Sequence, residues 1–96
     1  MSQFIVIEII HALPGQGAAL KQALLDLMPL CRKEQGCINY DIAVSDTAED
    51  IFLVLMEWET PADLEAHVQS EHILEFVKKY ENVLYGKVTE SHWESC

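Results

Sequence analysis

The chain has 96 residues, half of them hydrophobic, with 16 acidic side chains against 6 basic ones and a formal net charge of −10. That length suits one domain over residues 1–96 and no second. The charge argues against nucleic acid and anionic membrane surfaces, which need basic patches, and no apolar run approaches the roughly 18 residues of a membrane span.

The start, Met1-Ser2-Gln3-Phe4, lacks the charged and small-residue pattern of a secretory leader. Three cysteines, Cys31, Cys37 and Cys96, are an odd number without CxxC or zinc-finger spacing, so free thiols are expected rather than a disulfide framework. These features predict a small, soluble, acidic, cytoplasmic domain.

Residues 4–10 (FIVIEII) are rich in β-branched side chains and read as a strand. Pro14-Gly15-Gln16-Gly17 ends it. Apolar residues then recur at helical spacing: Ala19 and Leu20, Ala23 and Leu24, Leu27, then Leu30 and Cys31, with Lys21, Gln22, Asp26 and Lys33 on the other face. Pro29 is expected to kink or interrupt this helix, and Gly36 to cap its end. Residues 38–44 alternate, with Tyr40, Ile42 and Val44 on one face and Asn39, Asp41 and Ala43 on the other. An acidic turn over residues 45–50 leads into a second long strand over residues 51–58, so the pair reads as a hairpin. Thr60-Pro61-Ala62-Asp63 combines a hydroxyl cap, a proline at the first helical position and an acid at the third. Ser70 is placed to cap a further helix with the period Ile73, Phe76/Val77, Tyr80, Val83/Leu84, and residues 85–93 form the last strand.

The order β-α-β-β-α-β predicts an α+β, ferredoxin-like fold: one four-stranded antiparallel sheet with its helices on a single face. The other face should then turn polar. It does not, because Ile5, Ile7 and Ile9 oppose Phe4, Val6 and Ile10, and Ile51, Leu53 and Leu55 oppose Phe52, Val54 and Met56. Four strands of ordinary length give a footprint of roughly 350 Å², comparable with the largest apolar patch a monomer usually leaves exposed. A homodimer packed through the open sheet face is the expected solution.

Several groups are candidates for chemistry. Gly15-Gln16-Gly17 sits where a dinucleotide-binding turn would sit, but Leu20 occupies the third glycine position and the strands do not continue as parallel βαβ units. His67 and His72 invite a metal reading. Asp63, Glu71 and Glu75 are nearby, but the histidines are five apart with a helix break between them and no third ligand cluster accompanies them, so no metal set is expected. Glu8 within an apolar strand needs a partner or a raised pKa, and Glu57-Trp58 at the end of another strand is a second anomaly. The residues alone indicate a pocket between sheet and helices, lined by aromatics, with a histidine available as base.

Three stretches carry a resemblance: Glu34-Gln-Gly-Cys37-Ile-Asn-Tyr40-Asp41, Met56-Glu57-Trp58-Glu59, and Leu64-Glu-Ala-His67-Val-Gln-Ser70-Glu-His72. Together they resemble the antibiotic biosynthesis monooxygenase family, in particular its small quinol-monooxygenase-like members, over nearly the whole chain. The resemblance implies a dimeric α+β barrel. It also implies a pocket in each protomer where a small hydroquinone or phenol is oxygenated without flavin, haem or metal. His67 or His72 would be the base, Tyr40 and Trp58 would line or stack on the ring, and Asn39 and Glu57 would orient oxygens or a histidine. Haem-degrading members carry a tryptophan where this chain has His67, an asparagine where it has Glu8 and a haem-ligating histidine where it has Val77, so haem oxygenation is not expected. Isomerases of phosphorylated autoinducer-2 also resemble the chain in length and in the paired histidines. Only Lys21, Arg32, Lys33, Lys78, Lys79 and Lys87 could meet such an anionic substrate, which favours a neutral ring. A non-catalytic ligand-binding dimer stays open as a third reading.

Overall fold

The structure, a computed structural model, describes residues 4–96; the leader reading at Met1–Gln3 lies outside them. The elements run β1 (Phe4–His11), α1 (Gly17–Arg32), β2 (Cys37–Val44), β3 (Ile51–Trp58), α2 (Pro61–Val68), α3 (Glu71–Tyr80), a 3-10 turn (Glu81–Val83) and β4 (Thr89–Glu94). The strands form one antiparallel sheet in the order β2-β3-β1-β4. This is the ferredoxin-like arrangement expected, with the second helical segment divided in two.

Alternation along β3 decides what each face carries. Phe52, Val54, Met56 and Trp58 are buried toward the helices, with Val6, Ile10 and Tyr40 beside them. Leu20, Leu24, Leu27 and Cys31 of α1, spaced three and four apart, close the core from above. Each such fully buried aliphatic side chain contributes about 1.5–3 kcal/mol relative to exposure. The opposite face carries Ile5, Ile7, Ile9, Leu53 and Leu55, none of which is fully buried. No helix among the described residues is long and apolar enough to cross a membrane.

A bulge sets the phase of β2. Cys37 pairs with Trp58 and Asn39 with Glu57, so Ile38 is the extra residue. From there Tyr40, Ile42 and Val44 pair with Met56, Val54 and Phe52 on the helix side, while Asn39 and Glu57 face away from the helices.

Four local expectations change. The helix α1 continues through Pro29 to Arg32. The proline lies on the exposed side, so the backbone carbonyl that loses its partner can still reach water. Gly36 does not cap α1 but turns the chain into β2: Cys37 N–H donates to the Glu34 carbonyl at 3.2 Å, with Gly36 at φ +80°. Ser70 stands at the start of α3 without capping it, its hydroxyl donating instead to the His67 carbonyl at 2.7 Å. The last strand begins only at Thr89, because Leu84 bridges to Ala12 and the chain turns at Gly86 first. Thr60 caps α2 as expected, accepting from the Asp63 N–H at 3.2 Å.

Gly15 and Gly17 have backbone reasons to be glycine. The first adopts φ +84°, and a Cβ on the second would come within 2.7 Å of the Glu49 carbonyl oxygen. Gly36 is more constrained, since a Cβ there would collide with the Asp63 side chain in addition to the left-handed φ. The Gly36→Ala variant is expected to be less stable by at least about 1–2 kcal/mol, read as a lower urea midpoint with an unchanged m-value.

Candidate active site

Three helix ends meet at one carboxylate. Glu34 sits in the turn after α1, His67 on the last turn of α2 and His72 on the first turn of α3. Glu34 Oε2 lies 2.8 Å from His67 Nδ1 and 2.8 Å from His72 Nε2. The break at Ser70 lets two histidines five residues apart aim at the same oxygen. A carboxylate only accepts hydrogen bonds, so each facing ring nitrogen carries the proton. Nε2 of His67 is therefore the nitrogen with a lone pair, and it has no hydrogen-bond partner among the described residues.

The His67 ring is almost completely buried, 3% exposed. Trp58 packs against it at 4.8 Å between ring centroids, and Tyr40 at 5.8 Å. Beneath it lies a cavity of about 270 Å³ between sheet and helices. His67, Tyr40, Ile73, Phe76 and Tyr80 contribute to its wall, and Glu8 enters from β1. A larger, more open depression of about 690 Å³ lies between the 45–50 turn and the start of α1, but it has carboxylates and no imidazole. The smaller cavity, with apolar walls and converging titratable groups, is the candidate site.

Glu8 meets both expectations for a carboxyl on a buried strand. Its pKa is pushed up to about 7 by burial, then by the hydrogen bond and like charge of Glu90, with His92 opposing. Glu90 is its register partner on β4 and also bonds His92 at 2.7 Å. Burial likewise raises the Tyr40 phenol far above its ordinary value, with its Cys31 neighbour adding to the effect, so Tyr40 is a proton donor and not a base. Burial also pushes the Cys31 thiol up to about 12, and its sulfur lies within 4.8 Å of the Glu34 carboxylate.

Of the residues singled out in the sequence, the structure brings His67, His72, Tyr40 and Trp58 together. His72 is part of the Glu34 cluster but lines a shallow outer groove with Asp26, Glu75 and Lys79, not the cavity. Trp58 backs the His67 ring from within the core and is not in the cavity wall; its Nε1 has no hydrogen-bond partner among the described residues. Asn39 and Glu57 pair with each other at 3.5 Å on the opposite face of the sheet from this cavity. The side chains that gather with the two histidines are Cys31 and Glu34, rather than the carboxylates near them in sequence, Asp63, Glu71 and Glu75. Glu34 carried no local signal of its role, lying 33 residues from His67 in a turn.

The family description of antibiotic biosynthesis monooxygenases matches residues 3–79. The chain belongs to the antibiotic biosynthesis monooxygenase family. It is 33% identical, over 97 aligned positions covering 88% of each chain, to the probable quinol monooxygenase YgiN of Escherichia coli (strain K12). Among solved structures, PA3566 from Pseudomonas aeruginosa superposes with a TM-score of 0.93 at 29% identity, over 100% of this chain and 96% of that one. Rv0793 from Mycobacterium tuberculosis does so at 0.88 and 22% identity, over 95% and 92%, a likeness of fold. The monooxygenase family thus accounts for the ferredoxin-like sheet and for the extent of the match, which runs through β3 and both histidines.

Proposed function

We propose that this monooxygenase-family chain oxygenates a small hydroquinone or electron-rich phenol in the cavity beneath His67, without a resident cofactor. The observation that carries this reading is the Glu34–His67 pair: the carboxylate holds Nδ1, and the His67 ring, with Nε2 unpartnered among the described residues, lines an apolar cavity large enough for an aromatic ring. His67 takes the substrate's hydroxyl proton and Glu34 holds the imidazolium that forms. The hydroquinone anion then gives electrons to O₂. One oxygen atom enters the ring, the other leaves as water, and the product is a hydroxylated quinone. Apolar walls keep bulk water from the reactive anion. The described residues lining the cavity include Glu8 and Glu81 but no lysine or arginine, which favours a neutral substrate over a phosphorylated one.

The test is oxygen uptake when anaerobically reduced menadiol is mixed with protein in air. Wild type is expected to exceed the buffer blank, and the His67→Ala, His72→Ala double variant to fall to it. Wild-type rates equal to the blank would end the oxygenase reading. Turnover of a phosphorylated diketone would promote the isomerase, and tight binding of a planar ligand without turnover the binding module.

We further propose that the protein acts as a cytoplasmic homodimer joined through Ile5, Ile7, Ile9, Leu53 and Leu55 on the open sheet face. Light scattering at micromolar concentration is expected to give twice the protomer mass, and Leu55→Asp to give the protomer. A monomeric wild type contradicts this assembly.

A further inference from the structure

Around the Glu34 carboxylate stand His67 Nδ1 and His72 Nε2, each hydrogen-bonded to it, with the Cys31 sulfur close by. One ligand-type atom from each of these four residues lies within 4.8 Å of all the others, and Cys31 and His67 are buried while Glu34 and His72 are partly so. They come from the last turn of α1, the turn after it, the end of α2 and the start of α3, so the cluster is fixed by packing of the core and is not an accident of long surface side chains. We propose that these four residues form a site for a divalent ion of borderline softness, Zn²⁺ foremost, and that the ion switches the enzyme off.

The donor set fits such an ion in type, charge and size. Thiolate, carboxylate and two imidazoles are the ligands zinc takes in tetrahedral protein sites. One thiolate and one carboxylate neutralise the ion inside a poorly solvated setting. Bonds of about 2.0–2.3 Å place tetrahedral ligand atoms roughly 3.3–3.8 Å apart. The 2.8 Å contacts to Glu34 therefore open slightly, and the widest separation closes by about 1 Å. On binding, the Cys31 thiol releases its proton to solvent. Each imidazole keeps one proton, moved through solvent to its other nitrogen.

That last step links the ion to activity, and it rests on the assignment of His67 as base. An ion on Nδ1 leaves the proton on Nε2, so the nitrogen assigned as the base can no longer accept one. Metal and catalysis thus compete for the two sides of a single ring.

Co²⁺ is the probe, because binding is then read without turnover. Titration of the metal-free wild-type protein is expected to give a sulfur-to-cobalt charge-transfer band and the intense visible bands of a tetrahedral site at one ion per chain, both bleached by Zn²⁺. Cys31→Ser is expected to lose the charge-transfer band, and His72→Ala, at a partly exposed position, to bind at least about tenfold more weakly. Cys37→Ala should keep the full spectrum. One equivalent of Zn²⁺ should suppress menadiol-dependent oxygen uptake by wild type, with the suppression much reduced in His72→Ala relative to that variant's own metal-free rate. No charge-transfer band in wild type, or a band that survives in Cys31→Ser, overturns the site. A spectroscopically bound ion that leaves turnover unchanged overturns the switch. Absence of turnover in metal-free wild type would count against the oxygenase reading and not against the site, which the cobalt spectrum judges separately.

Discussion

The His67→Ala variant is expected to lose about 10²–10⁴-fold in the rate of menadiol-dependent oxygen uptake, whereas His72→Ala loses less than about tenfold. The two residues are both imidazoles bonded to Glu34 at 2.8 Å, so the difference lies in what each presents to the cavity. His67 is in the cavity wall with Nε2 free, while His72 reaches the carboxylate from an outer groove. The substrate hydroxyl can approach only the former. Equal losses in the two variants would mean that the carboxylate cluster acts as a unit and that the assignment of the base is wrong.

Glu34→Gln separates orientation from charge. The amide keeps the size of the side chain, but it no longer carries the charge that stabilises imidazolium, and its NH₂ can turn toward His67 and favour the unproductive tautomer. A fall in kcat on the order of 10²-fold with KM little changed is expected. A rise in KM at constant kcat would instead make Glu34 a determinant of cavity shape.

What could be read from the sequence follows from the range over which each signal acts. Strand alternation and helix periodicity are local, and they gave the order of elements, both faces of β1 and β3, and the break between α2 and α3. The faces of Asn39 and Glu57 follow from alternation too, yet relating them to the cavity requires knowing which face the helices cover. The bulge at Ile38 shifts that phase at the strand's first residues, with no glycine or proline to announce it. Pro29 was misleading because a missing N–H disturbs a helix least where the freed carbonyl is at the surface. His67 is conspicuous as a titratable side chain on an apolar period, whereas Tyr40 is ambiguous by pattern alone and enters as a site residue through the family resemblance. Glu34 and Cys31 do not stand out, since their role comes from tertiary convergence with a histidine more than thirty positions away. Nothing in a turn of sequence Lys33-Glu34-Gln35-Gly36 distinguishes a hub carboxylate from a solvated one.

Glu8 offers the second large effect, in stability rather than rate. Wild-type stability is expected to carry a component that falls as pH rises from about 4.5 to about 7, and Glu8→Gln is expected to abolish it. The folded pKa of about 7 lies above the ordinary value of 4.5, so the native state holds more protons than the unfolded chain within that window. The contribution is therefore complete below the unfolded value and is lost as pH passes through the folded one. Burial is the main cause, because an ionised carboxylate between β1 and the helix layer is poorly solvated. Glu90, directly opposite on β4, adds a like charge that grows in importance once Glu8 ionises. A shift of this size corresponds to about 3 kcal/mol at most, and sharing of the proton with the more exposed Glu90 brings the expected difference nearer about 2 kcal/mol. Glutamine preserves the shape and the hydrogen-bonding capacity of the protonated acid without its ionisation. Urea unfolding at pH 5 and pH 8 should thus find the variant and wild type similar at the lower pH and the variant more stable at the higher. If the two proteins keep the same difference at both pH values, Glu8 is ionised in the native state throughout this range and its raised pKa is refuted.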